Sequence, residues 1–437
     1  MAEDGPVIDA QSLRRGWKYI ALAAAICLPA AFLRFDLFSI NTGVDTLLFG
    51  VAILGAAFLL SWGAEVAQLD ISQALAIAFL AFIAVLPEYA VDLVFAWKAG
   101  TQDRIAAATG IIPSTCGATG GTVDHCRNFA IANMTGANRL LIGVGWAVVV
   151  LIWWRRSGEK QVHLGENRYT EIGFLLVASL WAFTIPIRGY LSLLDLVVLG
   201  SVFVAYVWHA AVQESEEPEL VGPPLAVAAL PVRKRRAVTL GMFAFAAGMI
   251  LASAEPFAHG LVTTGEQFGI DKFLLVQWLA PLASEAPEMI IAILFVLRSK
   301  PGAGLGTLVS SKVNQWSLLI ATLPLVYAIA HRAIVPMELD PRQVEEVLLT
   351  AAQSAFAIAV IASLSLSRGE AMILLVAFLA QFGFESTTIR YGFSGFYVVA
   401  ALVLITVHGE NRRGIVAALR AAFTPPWRAG RAKKAAS

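Results

Sequence analysis

About twelve stretches of mostly apolar residues recur along this 437-residue chain, and each is long enough, at about 20 residues, to cross the hydrocarbon core of a bilayer as a helix. They run roughly over residues 17–35, 44–66, 71–98, 128–154, 171–187, 190–212, 237–258, 270–298, 304–330, 344–366, 370–387 and 391–408. Only the gaps 99–127, 155–170 and 213–236 are of any length, so no soluble domain of useful size is inserted and any chemistry sits among the helices. Composition agrees. Hydrophobic residues make up 58% and charged residues 14%, against about 25% charged in soluble domains, and the mean hydropathy is +0.71. That excludes a soluble protein, and 32 basic against 31 acidic residues leave no charge excess to recruit nucleic acid. The fold class expected is an all-α polytopic membrane protein whose partner is the lipid bilayer.

Basic residues mark the cytoplasmic side of a membrane protein. With the N-terminus inside, 21 of the 32 Lys and Arg fall on cytoplasmic segments, so both termini are expected there, and the compact loops suggest a bacterial inner membrane. Arg14 and Arg15 precede a long apolar run without a small-residue cleavage site, which reads as a first span rather than an export signal. Cys27 falls within that span. Cys116 and Cys126 share the 99–127 loop, on the outer face where oxidation can join them; sequence alone leaves a disulfide and two free thiols equally open. Asp124 and His125 lack a further spaced ligand pair and read as a solvated loop rather than a metal site.

Two spans carry the same interruption two hundred residues apart: Ala84-Val85-Leu86-Pro87-Glu88 and Ser284-Glu285-Ala286-Pro287-Glu288. The next span in each case carries a polar cluster, Thr135-Gly136-Ala137-Asn138-Arg139 and Ser311-Lys312-Val313-Asn314-Gln315. The Pro87 span is third and the Pro287 span eighth, so the two run in opposite directions and the halves are inverted; parallel six-helix halves would pair the third span with the ninth. The expected architecture is five plus five helices in inverted-topology repeats, with one extra helix at each end. Proline removes a backbone donor and displaces the carbonyl four residues earlier, so each Pro-Glu leaves carbonyl oxygens beside a carboxylate, a ligand set for a cation. Acids at mid-bilayer are costly without a paired or hydrated cavity, so two in inverted register argue for a shared site.

These residues resemble the cation/calcium exchanger superfamily, whose sodium/calcium exchangers carry Gly-Thr-Ser-Leu-Pro-Glu on one helix and Gly-Ser-Asn-x-x-Asn or Asp on the next, in two inverted repeats. Ser253-Ala254-Glu255, His259-Gly260 and Phe268-Gly269-Ile270-Asp271, leading into the Pro287 span, are similar to the second-repeat approach; Gly63-Ala64-Glu65 and Asp70-Ile71-Ser72 are similar in the first. The resemblance covers roughly residues 44–387. It implies a midplane site in which Glu88 and Glu288 match two ligating glutamates, Ser284 a repeat threonine, and Thr135 and Ser311 the serine of Gly-Ser-Asn. The chain departs from the family where Glu285 replaces a ligating serine, Ala84 and Val85 replace Thr-Ser, Lys312 replaces an asparagine, and Arg139 and Gln315 take the last Asn or Asp positions. The implied division is 1–43, tail and extra helix; 44–212, first repeat; 213–236, cytoplasmic basic loop; 237–387, second repeat; 388–437, extra helix and basic tail.

Glu285 and Glu288 are three residues apart and Glu88 and Asp92 four apart, so each pair can share a helix face. Four packed carboxylates cannot all ionise, which is a physical basis for proton coupling. Arg139 stays charged and would stand in the site as a tethered cation, whereas Lys312 can give up its proton to an entering metal; the competing account makes both structural partners of acids. Asn138 and Asn314 offer amide oxygens either to an ion or across helices. Counting Glu88, Glu285 and Glu288 against Arg139 and Lys312 leaves minus one, which favours a monovalent ion. The expected function is therefore a secondary cation antiporter exchanging Na+ for protons. The alternatives are Ca2+ exchanged for Na+ or protons and, in another class, a non-transporting receptor or scaffold. No histidine lies mid-span and no paired nucleophile and base lies at membrane depth, so no enzyme is expected; nor is a cofactor, Na+, Ca2+ and protons being substrates.

Overall fold

The computed structural model describes residues 10–70, 86–119, 122–212, 220, 222–269, 271–381 and 386–425. Helices α1 (Ala10–Ala25) and α2 (Leu28–Arg34) form the first span. The first half then holds α3 (Thr42–Ala67), α4 (Leu86–Thr109), the hairpin of β1 (Ala118–Thr119) and β2 (Thr122–Val123), and α5 (Cys126–Leu140). A π-helical turn, Leu141–Trp146, carries α5 into α6 (Ala147–Ser157). Strand β3 (Gln161–His163), α7 (Tyr169–Ala182), the short α8 (Thr184–Arg188), β4 (Tyr190–Leu191) and α9 (Leu193–Val212) complete it. After α10 (Pro223–Ala228), the second half repeats the order: α11 (Val232–Phe268), α12 (Lys272–Leu297), then α13 (Pro301–Asn314) with a π-helical turn, Gln315–Leu319, leading into α14 (Ile320–His331). It closes with β5 (Met337–Glu338), α15 (Pro341–Ile361), β6 (Ser365–Ser367) and α16 (Arg368–Ala380). Helices α17 (Thr387–Val407) and α18 (Gly409–Phe423) follow.

Among the described residues nine helices are long and apolar enough to cross a membrane, and α12, bent by 49° between Ala286 and Glu288, makes a tenth. The bend falls at Pro287, where no N–H is available. Of the twelve expected spans, the third is represented by α4 and the eleventh by the 13-residue α16. Residues 71–85, with Ile71, Ser72, Ala84 and Val85, lie outside the described residues, as do 213–219 of the basic loop, 382–385 and the tail beyond 425.

Strand β3 pairs antiparallel with β6, and β4 with β5. Because β3 and β4 flank the single span made by α7 and α8, the two ribbons sit at its opposite ends. Strand β3 follows the π-interrupted helix of the first half and β5 follows that of the second, so exchanging the halves exchanges the ribbons. Helix α3 packs along α11, α4 against α14, α5 against α12, and α15 against α17. Glycine sets the closest approach: a Cβ on Gly136 of α5 would overlap the backbone carbonyl of Gln277 on α12. Helix α18, which no apolar run announces, lies on α7 through Gly173 and Ala418.

Candidate functional site

All twelve candidate residues are buried, none more than 9% exposed, so none of these charges snorkels to a surface. Glu88 lies in the first turn of α4 as described, beside Pro87, and Glu288 opens the segment of α12 beyond the bend. Ser311 donates to Glu288, and the side-chain amide of Gln315 donates to Glu285, both in very short contacts. The carboxyls of Glu88 and Glu285 are close electrostatic neighbours, so the two cannot both carry a charge without cost. No donor reaches either oxygen of Glu88 among the described residues, nor Oε2 of Glu285. Such buried, donor-free oxygens are what a hard cation takes as ligands. The ammonium of Lys312 is an electrostatic neighbour of Glu88 and Glu285; it donates to Oδ1 of Asn138 at 2.6 Å and lies over the Trp316 ring, 4.3 Å from its centroid. Among the described residues no three His, Cys, Asp or Glu side chains are grouped closely enough to hold a metal ion by themselves.

Helix α5 distributes its polar side chains to four neighbours. Asn133 donates to Oδ1 of Asp92 at 2.9 Å, so Asp92 is held by an amide one turn beyond Glu88; Lys98, further along α4, pairs with Glu255. Thr135 donates to the carbonyl of Ile131 and accepts from Gln277 at 3.4 Å, where its repeat counterpart Ser311 holds a glutamate. Asn138 meets Lys312. Ser284 donates to its own helix at Ala280 and Pro281, and Asn314 is buried beside the cluster in sequence.

Arg139 departs from expectation. Placed by the charge count inside the cation site, it pairs with Glu346 of α15 at 2.6 Å, donates to Gln381 and stacks on Trp278 at 5.0 Å. The reason is angular: one residue past Asn138 turns the side chain by about 100° around a helix, toward α15 rather than α13. Arg390 of α17 completes this second cluster with Glu345 and Glu346, and Tyr397 accepts from Gln381. Gln277, Asn133, Glu345, Glu346 and Arg390 belong to no sequence motif; the signal available for the last three was a charge inside or beside an apolar run.

In the loop between α4 and α5, Cys116 and Cys126 form a disulfide with Cα atoms 5.4 Å apart. Gln102 anchors it by donating to the carbonyls of Pro113 and Asp124 and accepting from the backbone of Cys126.

A polytopic helical scaffold of two matching halves, each burying a Pro-Glu acid, is the architecture of an ion exchanger. Residues 44–212 and 238–386 match the family described as sodium/calcium exchanger protein, and the chain belongs to that family. A crystal structure of the H+/Ca2+ exchanger CAX is 40% identical to it, with a TM-score of 0.85, covering 94% of this chain and 98% of its own. The Ca2+/H+ antiporter protein YfkE, 14% identical with a TM-score of 0.57 over 87% of this chain and 99% of its own, shares the fold. So does the sodium-calcium exchanger NCX_Mj, at 16% identity and a TM-score of 0.50 over 80% and 100%. No curated protein matches.

Proposed function

We propose that this chain exchanges calcium for protons through Glu88, Glu285 and Glu288. The observation that carries this reading is the position of Arg139. With that guanidinium bound to Glu346, the site sets three carboxyls against Lys312 alone, a formal minus two that suits a divalent ion; the minus one behind the sodium reading depended on an arginine that stands elsewhere. The 40% identity with an H+/Ca2+ exchanger supports the same choice. Packed carboxyls support exchange: a proton held by Glu88, Glu285 or Glu288 and a cation bound by the same oxygens exclude one another, so loading either ion requires release of the other.

The interchange of the two β ribbons supports the inverted relation of the repeats, and with it alternating access, in which α3 and α11 slide together over the remaining helices. The basic residues of 233–236 and of the C-terminal segment support cytoplasmic termini. Adding Ca2+ to the purified protein in weakly buffered detergent tests the reading: protons should appear in solution, Na+ should release none, and Glu288→Gln should abolish the response. Proton release by Na+ but not by Ca2+ would restore the sodium account.

A further inference from the structure

Asp92 and Asn133 form a buried polar pair that stands apart from the Glu285–Glu288 pair. Asp92 is fully buried and Asn133 1% exposed. Their single mutual bond uses Oδ1 of the acid and Nδ2 of the amide, leaving Oδ2 of Asp92 and Oδ1 of Asn133 buried with no donor among the described residues. Both oxygens of Glu88, one helical turn back on the same face of α4, are in the same condition among the described residues. Leaving such atoms unsatisfied is costly, and a polar pair kept in that state needs a reason.

The fold does not supply one. Under the correspondence of Pro87 with Pro287, Asp92 answers to Ala292; under that of Asn138 with Asn314, Asn133 answers to Val309. Both counterparts are completely buried, so the second half packs the same location with apolar side chains. The polar pair is one of the asymmetries between the two halves, on the side of Glu88 toward Thr109 and the disulfide hairpin.

We infer that Asp92 and Asn133, with Glu88, form a second cation subsite through which Ca2+ passes between the midplane carboxylates and the hairpin end of the molecule. One carboxylate and one amide oxygen, completed by water and by Glu88 on the inner side, make a partial shell, weak enough to release the ion onward. This rests on the calcium–proton reading. A way-station raises the rate of passage more than the equilibrium affinity, because the midplane site holds the ion at rest.

The test pairs equilibrium 45Ca2+ binding to purified protein with 45Ca2+ exchange in liposomes under a pH gradient. Asp92→Asn should slow maximal exchange about tenfold or more while changing the Ca2+ dissociation constant by less than about threefold, and Asn133→Ala should show a smaller loss of the same kind. Unchanged exchange in Asp92→Asn, or loss of binding in step with exchange, would overturn the subsite. If Asp92→Asn melts early, the exchanged pair Asp92→Asn with Asn133→Asp keeps one carboxylate and one amide in place; it should recover exchange, and failure to do so in a folded protein would equally overturn it. Wild-type protein that moves no Ca2+ against protons contradicts the functional reading itself, whereas active wild type with an unaffected Asp92→Asn contradicts the subsite alone.

Discussion

Lys312 and Arg139 are the two cations that sequence places within spans, and they have opposite fates. Lys312 stays with the carboxylates, bound to Asn138, whereas Arg139 is consumed by Glu346. Replacing Lys312 by Met keeps the length of the side chain and removes its charge. The site then holds Ca2+ against three carboxylates with no opposing ammonium, so the apparent KM for Ca2+ should fall while maximal exchange drops about tenfold, as slow release would dictate. Arg139→Leu leaves Glu346 buried against Arg390 alone. Stripping a buried charge of its only partner costs about 3–5 kcal/mol, and with Arg390 still in place the loss should be smaller but measurable by thermal unfolding in detergent. Had Arg139 stood in the cation site, the same change would alter ion affinity and leave stability largely intact. Sequence showed which residues are charged at membrane depth, because lipid makes each of them conspicuous. It did not show which way they point, since a single residue step on a helix separates a ligand of Lys312 from a partner of Glu346. Asn133 and Gln277 were illegible for a different reason: a lone amide in an apolar run costs little enough to need no explanation.

Among the elements, the Pro287 helix was the legible one, because proline beside an acid deep in an apolar run leaves few alternatives to a broken span, and α12 bends there by 49°. The π-helical turns after each polar cluster carry no comparable signature, and α18 is announced only by the spacing of Asn411, Gly414, Ala418 and Ala422, whose buried side chains return every three or four residues. The contact of α5 with α12 depends on Gly136; Gly136→Ala should push the two helices apart, cost about 1–3 kcal/mol on unfolding, and slow exchange. Beyond the end of α3, Asp70 accepts two 2.8 Å bonds from Arg235 of α11, and that guanidinium holds its carboxyl below the ordinary aspartate range. A depressed acid contributes stability that is complete above its unfolded value, near pH 4, and is lost as pH falls through the folded value. Asp70→Asn should therefore melt below wild type at pH 7, with the difference shrinking steadily once the pH drops under about 4. A constant difference down to pH 3 would show that Asp70 acts by packing alone.

For the whole molecule, composition alone settled the solvent and the helical class, and the repeated motif settled the family. Ion choice was not settled by the sequence, because the net charge of a site depends on side-chain direction, and one arginine separates a count of minus two from minus one. The packing of α17 on α15 through Arg390 also makes the extra C-terminal span part of the exchanger's buried ionic framework, although it lies outside the repeat. The central claim is that one carboxylate cluster binds calcium and protons in competition. It is tested most directly by following internal calcium and internal pH together in the same protein-loaded liposomes after an outward proton gradient is imposed. The account predicts calcium entry coupled to proton exit, independent of sodium and absent in Glu288→Gln. Calcium entry with no accompanying change in internal pH, or proton exit driven by sodium in the absence of calcium, would contradict it.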